Sequence, residues 1–176
     1  MRKIKNNKKK VENVSVSQKR PIIIISIAAV ALLIMVILMV IESSEGKLKI
    51  TNNTDANIEY VQAYFVGAEG RISDGFNFEN MEAGKTNVVP SGEYELFGEE
   101  ANLEVRFKFE GSNEVFVDAG YFNDNFSGNI NINFSNSDED NIVNLHVKAK
   151  NGVLKSNRVF CDDEFKIDIV EGMEIE

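Results

Sequence analysis

Two hydrophobic patterns divide this chain: an unbroken apolar run near its start, then short stretches in which apolar and polar residues alternate. The run, Ile22 to Ile41, holds eight Ile, three Leu, three Val, two Met and three Ala, with Ser26 its only polar side chain. At ~1.5 Å of rise per residue, twenty residues span ~30 Å, the thickness of bilayer hydrocarbon. Its Ile, Leu and Val residues each favour insertion by ~0.3–0.6 kcal/mol, so roughly 4–8 kcal/mol supports the span. A helix buried in a soluble core would carry polar positions at helical spacing, and none interrupts this run. The pattern predicts a transmembrane helix over residues 21–41, with Pro21 in its first turn, where a missing N–H is harmless.

Beyond a short linker at 42–46, helical periodicity gives way to alternation. Leu103, Val105, Phe107 and Phe109 share one face, against Glu104, Arg106, Lys108 and Glu110 on the other. Ile130, Ile132 and Phe134 alternate with Asn129, Asn131 and Asn133, and Val143, Leu145, Val147 and Ala149 with Asn144, His146 and Lys148. Further strands are expected at Leu48–Thr51, Ile58–Val66, Lys85–Val89, Glu93–Phe97, Glu114–Asp118, Val153–Phe160 and Phe165–Val170, with a short strand or a loop within Ser73–Gly84. Gly67–Gly70, Pro90-Ser91-Gly92, Gly111-Ser112-Asn113 and Asn151-Gly152 supply turns; the last pair suits a two-residue hairpin. Many short strands with regular turns predict an all-β, antiparallel sandwich or barrel over 47–176, of Ig-like or jelly-roll-like kind. It forms one domain, or two small ones dividing near 98–102 or 111–113.

Charge sets the expected topology. Eight basic residues precede the span against one acid, Glu12, a net +7, whereas 11 basic and 27 acidic residues follow it, a net −16. Short basic flanks stay cytoplasmic, so residues 1–20 are expected as a disordered cytoplasmic tail and the acidic domain as extracytoplasmic. A cleavable signal peptide is the competing reading. It fits less well, because its apolar core runs ~7–15 residues and ends at small residues. Here the exit is Met39-Val40-Ile41-Glu42-Ser43-Ser44. The span has no G-x-x-x-G for helix pairing.

The order Asn52-Asn53-Thr54, Ile58, Tyr60, Ala83-Gly84-Lys85 and Val89-Pro90-Ser91-Gly92-Glu93-Tyr94 resembles small all-β modules of bacterial, Gram-positive-like envelope proteins. The resemblance covers about residues 47–110 and implies an extracytoplasmic module with no particular activity. Abundant Asn, Ile and Lys also resemble AT-rich bacterial coding. In that setting the sequons at Asn52, Asn125 and Asn133 are chance matches rather than glycan acceptors.

Little chemistry is legible. Cys161 is the single cysteine, which excludes an internal disulfide and a thiolate metal cluster. Asp162, Asp163 and Glu164 beside it raise a thiol pKa, so a half-buried cysteine at a strand end is expected rather than a nucleophile. His146, the single histidine, shares its face with Asn144 and Lys148 and reads as solvated. Gly84-Lys85-Thr86 ends like a phosphate loop, but Glu79 stands where that loop needs Gly, so it reads as a turn. Asn123 to Gly128 opens like an EF-hand loop but has Phe134 at its twelfth position, so a polar hairpin turn is expected. Weak calcium sites remain as candidates at Asp138, Glu139, Asp140, Asp162, Asp163 and Glu164, with no catalytic residue and no cofactor. The leading expectation is a single-pass, non-catalytic envelope module that binds a protein partner and not nucleic acid. An extracytoplasmic ligand sensor and a membrane-tethered glycan hydrolase built on two carboxylates are the alternatives.

Overall fold

The computed structural model describes residues 16–42, 45–152 and 159–175. Two units emerge, divided between Val40 and Ile41. In the first, helix α1 (Val16–Glu42) contains Ile22–Val40, long and apolar enough to cross a membrane. None of that stretch is buried. Ser26 satisfies its hydroxyl within the helix by donating to the Ile22 carbonyl at 2.9 Å. The helix begins five residues earlier than the hydrophobic run suggests. Val16–Arg20, expected to be unfolded, are helical, and Pro21 lies in the second turn rather than the first.

The second unit is built of strands: β1 (Lys47–Asn53), β2 (Ile58–Gly67), β3 (Gly70–Arg71), β4 (Phe76–Met81), β5 (Thr86–Pro90), β6 (Ala101–Phe109), β7 (Glu114–Phe122), β8 (Asn129–Asn136), β9 (Ile142–Lys150), β10 (Val159–Asp168) and β11 (Met173–Ile175). One sheet has β3 and β4 on the outer side of β2, followed by β6 and β7. The other runs β5, β1, β8, β9, β10, β11. Strand β10 belongs to both: Val159 and Phe160 pair with Phe122 and Tyr121 of β7, then Cys161–Asp168 pair with β9. Among the described residues all strand pairings are antiparallel except β1 with β8, which run parallel from Leu48↔Ile130 to Asn53↔Ser135.

Alternation sends every second residue into one shared core. Leu103, Val105, Phe107 and Phe109 are buried, as are Ile130, Ile132 and Phe134, and Leu145, Val147 and Ala149. The inner faces of the two sheets meet where Phe107 of β6 packs edge-on against Phe134 of β8 at 4.9 Å. A second cluster joins Phe65 to Tyr94, Phe122 and Phe126 at 4.8, 5.0 and 5.7 Å. Such edge-to-face pairs each add ~0.5–1.5 kcal/mol beyond the area they bury. The fully buried Asn52 is satisfied completely: its amide donates to the Ala56 and Met81 carbonyls, and its oxygen accepts from the Thr54 backbone and hydroxyl. The first sequon is therefore a structural turn.

Several expectations are corrected. Glu93–Phe97 is no strand; only Tyr94 makes a bridge, to Phe126, and Gly92 and Gly98 with φ of 78° and 83° turn the chain on either side. Asn151-Gly152 forms no two-residue hairpin, since Ala149 pairs with Cys161 and leaves a much longer connection. The buried Asn151 side chain instead accepts from Ser127 N and donates to the Asn125 carbonyl. Asn123–Gly128 is not a hairpin turn but the crossing from β7 to β8, one sheet to the other. The strand expected at Val153–Phe160 lies outside the described residues up to 158. Val159 onward continues without a break through the acidic triplet to Asp168.

Candidate functional site

The two acidic triplets are not brought together. Asp138, Glu139 and Asp140 are exposed in the β8–β9 connection, where Glu139 meets Lys166 at 3.3 Å. Asp162, Asp163 and Glu164 are consecutive in β10, so the strand's period of two sends Asp163 to one face and Asp162 and Glu164 to the other, where they lie 2.7 and 4.0 Å from the His146 ring. Asp162 points outward and accepts from Lys148 Nζ at 2.6 Å and His146 Nε2 at 2.7 Å. Those two contacts, Lys148 foremost, hold its carboxyl below the usual aspartate range. Asp163 instead caps the backbone N–H of Gly120 on β7 at 2.6 Å. Among the described residues, no three His, Cys, Asp or Glu side chains converge as a metal site.

Cys161 is the third of the ten residues of β10 and is 1% exposed, buried rather than half-buried. Burial, and then the Asp163 charge, push its thiol up to about 12. His146 lies on the outer face as its alternation implies. A shallow depression of about 590 Å³ lies beside it, lined in part by Asn133, Asn144, His146, Glu164 and Lys166.

The densest arrangement of interacting polar and aromatic groups stands on the opposite side, on the outer face of β2, β6 and β7. Three rows cross it: Tyr60, Lys108 and Glu114; Gln62, Arg106 and Phe116; Tyr64, Glu104 and Asp118. Arg106 is the hub. Its guanidinium meets Glu104 at 2.8 Å and Glu114 at 2.6 Å, donates to the Tyr64 hydroxyl at 3.2 Å, and lies 4.9 Å from the centre of the Phe116 ring. Tyr60 donates to Glu114 and Tyr64 to Glu104. Arg71 stacks over Tyr64 at 4.1 Å, and Lys108 pairs with Glu59 at 2.6 Å across a bulge in β2.

The network shifts its own titrations. Hydrogen bonds from Tyr60 and then Arg106 lower the Glu114 pKa. Burial, and then Glu114, push the Tyr60 phenol up to about 12. Glu104 and Glu114 hold the Arg106 charge more firmly still. Asp118 moves the other way: desolvation and then the Glu104 charge raise it. Phe116, by contrast, is 54% exposed in the middle row. The face therefore presents fixed Tyr and Arg groups around an exposed aromatic ring.

Sequence reading placed Glu104, Arg106 and Lys108 on a solvated face but did not see this cluster. Tyr60 and Tyr64 share the parity of one strand, and Glu114, Phe116 and Asp118 that of another. The strand registers that align them are long-range and leave no local mark. This chain matches no protein-family profile, no curated protein and no solved structure.

Proposed function

We propose that this chain is a single-pass membrane protein that holds an acidic β-sandwich on the outer side of the membrane and binds a protein partner there. The inner-face contact of Phe107 with Phe134 supports the sandwich reading, and the +7 flank before the span supports a cytoplasmic N-terminus. The single observation that carries the binding reading is the outer face around Arg106. Tyr, Arg and Phe are enriched at protein interfaces, and groups already locked in place lose little entropy on docking. A Glu104–Arg106–Glu114 network fixes the arginine, while the exposed Phe116 ring gains by being covered.

Tethering favours the same reading. The four residues between α1 and β1, Ser43 to Gly46, reach at most about 14 Å at ~3.3–3.6 Å per extended residue, so the domain stays near the bilayer and meets membrane neighbours at high effective concentration. The −16 charge after the span favours a basic partner. A photo-cross-linking residue at Phe116 in intact cells should capture a reproducible protein. One at Asn131, on the other sheet, should not. Arg106→Glu should weaken capture at least about tenfold, as loss of a hot-spot residue does. Equal capture from both faces, or turnover of a wall-type glycan by the purified protein, would overturn the proposal.

A further inference from the structure

The β10 strand leaves a gap in the sheet that carries the Arg106 face. It pairs with β7 only at Tyr121 and Phe122, then crosses into the other sheet to pair with β9. From Glu114 to Ala119, β7 is bonded to β6 on one side, and no described strand pairs with it on the other. Both ends of this gap are closed. At one end Asp163 caps the Gly120 N–H, and at the other Asn113 Nδ2 donates to the Val170 carbonyl. The open length is six residues, about 20 Å at ~3.3 Å each.

The other free edges of the two sheets are blunted. Strand β5 ends at Pro90, which has no N–H to offer, β4 is interrupted by Asn80 at φ 54°, and β3 and β11 span two and three residues. Proline, irregularity and shortness are the usual protections of an edge. Over Glu114–Ala119, β7 has none of them and no lysine. Its outward residues are Glu114, Phe116 and Asp118, and Asp163 stands at the end of the gap.

We infer that the β7 edge receives an extended, basic segment of the partner protein by strand addition. The inference rests on the protein-binding reading above and specifies how the partner docks. Strand addition takes its affinity from main-chain hydrogen bonds and its specificity from alternate side chains. Lysine or arginine at every second position of the added strand faces Glu114 and Asp118, and its aliphatic stem covers Phe116. A second copy of this chain fits badly. An antiparallel pairing of two β7 strands centred on Phe116 sets Glu114 against Asp118 of the other copy, like charges directly opposed.

The test uses the full-length protein in detergent micelles and a capped hexapeptide of alternating lysine and valine. Amides of Glu114–Ala119 that face away from β6 should exchange quickly in the protein alone and slowly with the peptide. N-methylation of either the lysine or the valine amides should weaken binding at least about tenfold, the loss of one or two interchain hydrogen bonds, while the other pattern is tolerated. Asp118→Lys should abolish the protection. Protection in the protein alone would mean the chain covers its own edge, and indifference to both methylation patterns would mean purely ionic contact; either overturns the inference. If Phe116 still cross-links a partner in cells when the edge shows no strand addition, this inference fails alone. If wild-type Phe116 captures nothing, the binding reading fails with it.

Discussion

At the scale of single residues, the chemistry of this domain is that of groups held rather than groups set free. Cys161 is the clearest case. With its thiol pushed up to about 12 by burial and by Asp163, its thiolate fraction at pH 8 is ~10⁻⁴. Alkylation by iodoacetamide at pH 8 should therefore be at least about a thousandfold slower in the native protein than in urea. A rate close to that of the unfolded chain would contradict the burial of Cys161. Glu114 gives a pH prediction with a definite sign. Its folded pKa is lowered from 4.5 by Tyr60 and Arg106, so it contributes stability above about 4.5 that is lost as the pH falls through the lowered folded value. Glu114→Gln should lower stability at pH 7 and converge on the wild type in acid, as followed by urea unfolding across pH. A difference that persists unchanged at pH 2 would refute the assigned bonds.

Elements show what local sequence encodes and what it does not. The glycines at the start of β8 and before β1 are as constrained as any core residue. A Cβ on Gly128 would collide with the Lys150 carbonyl and the Asn151 backbone, and one on Gly46 with the Gly128 carbonyl. Backbone on both sides leaves no side chain to move aside. Gly128→Ala should destabilise the protein by more than ~2 kcal/mol, read from its urea midpoint, whereas Gly84→Ala meets no neighbour and carries only the strain of its φ of 74°. Equal effects at the two positions would contradict the packing at Gly128. Strands with one apolar face, such as β6, β8 and β9, were legible because burial imposes period two on them. Strand β10 was not, because its inward position at Asp163 is charged and serves the Gly120 N–H, which breaks the alternation just where the strand continues. Glu93–Phe97 misled for the opposite reason. Tyr94 and Leu96 pack inward like strand residues, yet the glycines at 92 and 98 bend the chain away from any neighbour beyond one bridge. The Arg106 face depends on register between β2, β6 and β7, a property of pairings many residues apart.

For the whole molecule, the decisive asymmetry is electrostatic and lies on either side of one apolar helix. The segment before Ile22–Val40 carries +7 within twenty residues, and the sequence after the apolar run carries −16. Positive flanks are retained in the cytoplasm, where anionic headgroups attract them at ~1 kcal/mol per Lys or Arg near the surface. Acidic residues weigh little in this rule, so the expected orientation rests on the +7 flank and not on the −16. Protease added to intact cells or protoplasts should therefore degrade residues 47–176 and spare a tag at Met1. Converting Lys3, Lys5, Lys8, Lys9, Lys10 and Lys19 to Gln should reduce that asymmetry, leaving part of the population with a protease-resistant C-terminal domain. A domain protected in the unaltered protein would reverse the orientation and place the β7 edge in the cytoplasm. A domain recovered free in the medium, cut after the span, would make Ile22–Val40 a cleaved leader and remove the tether on which the high local concentration depends.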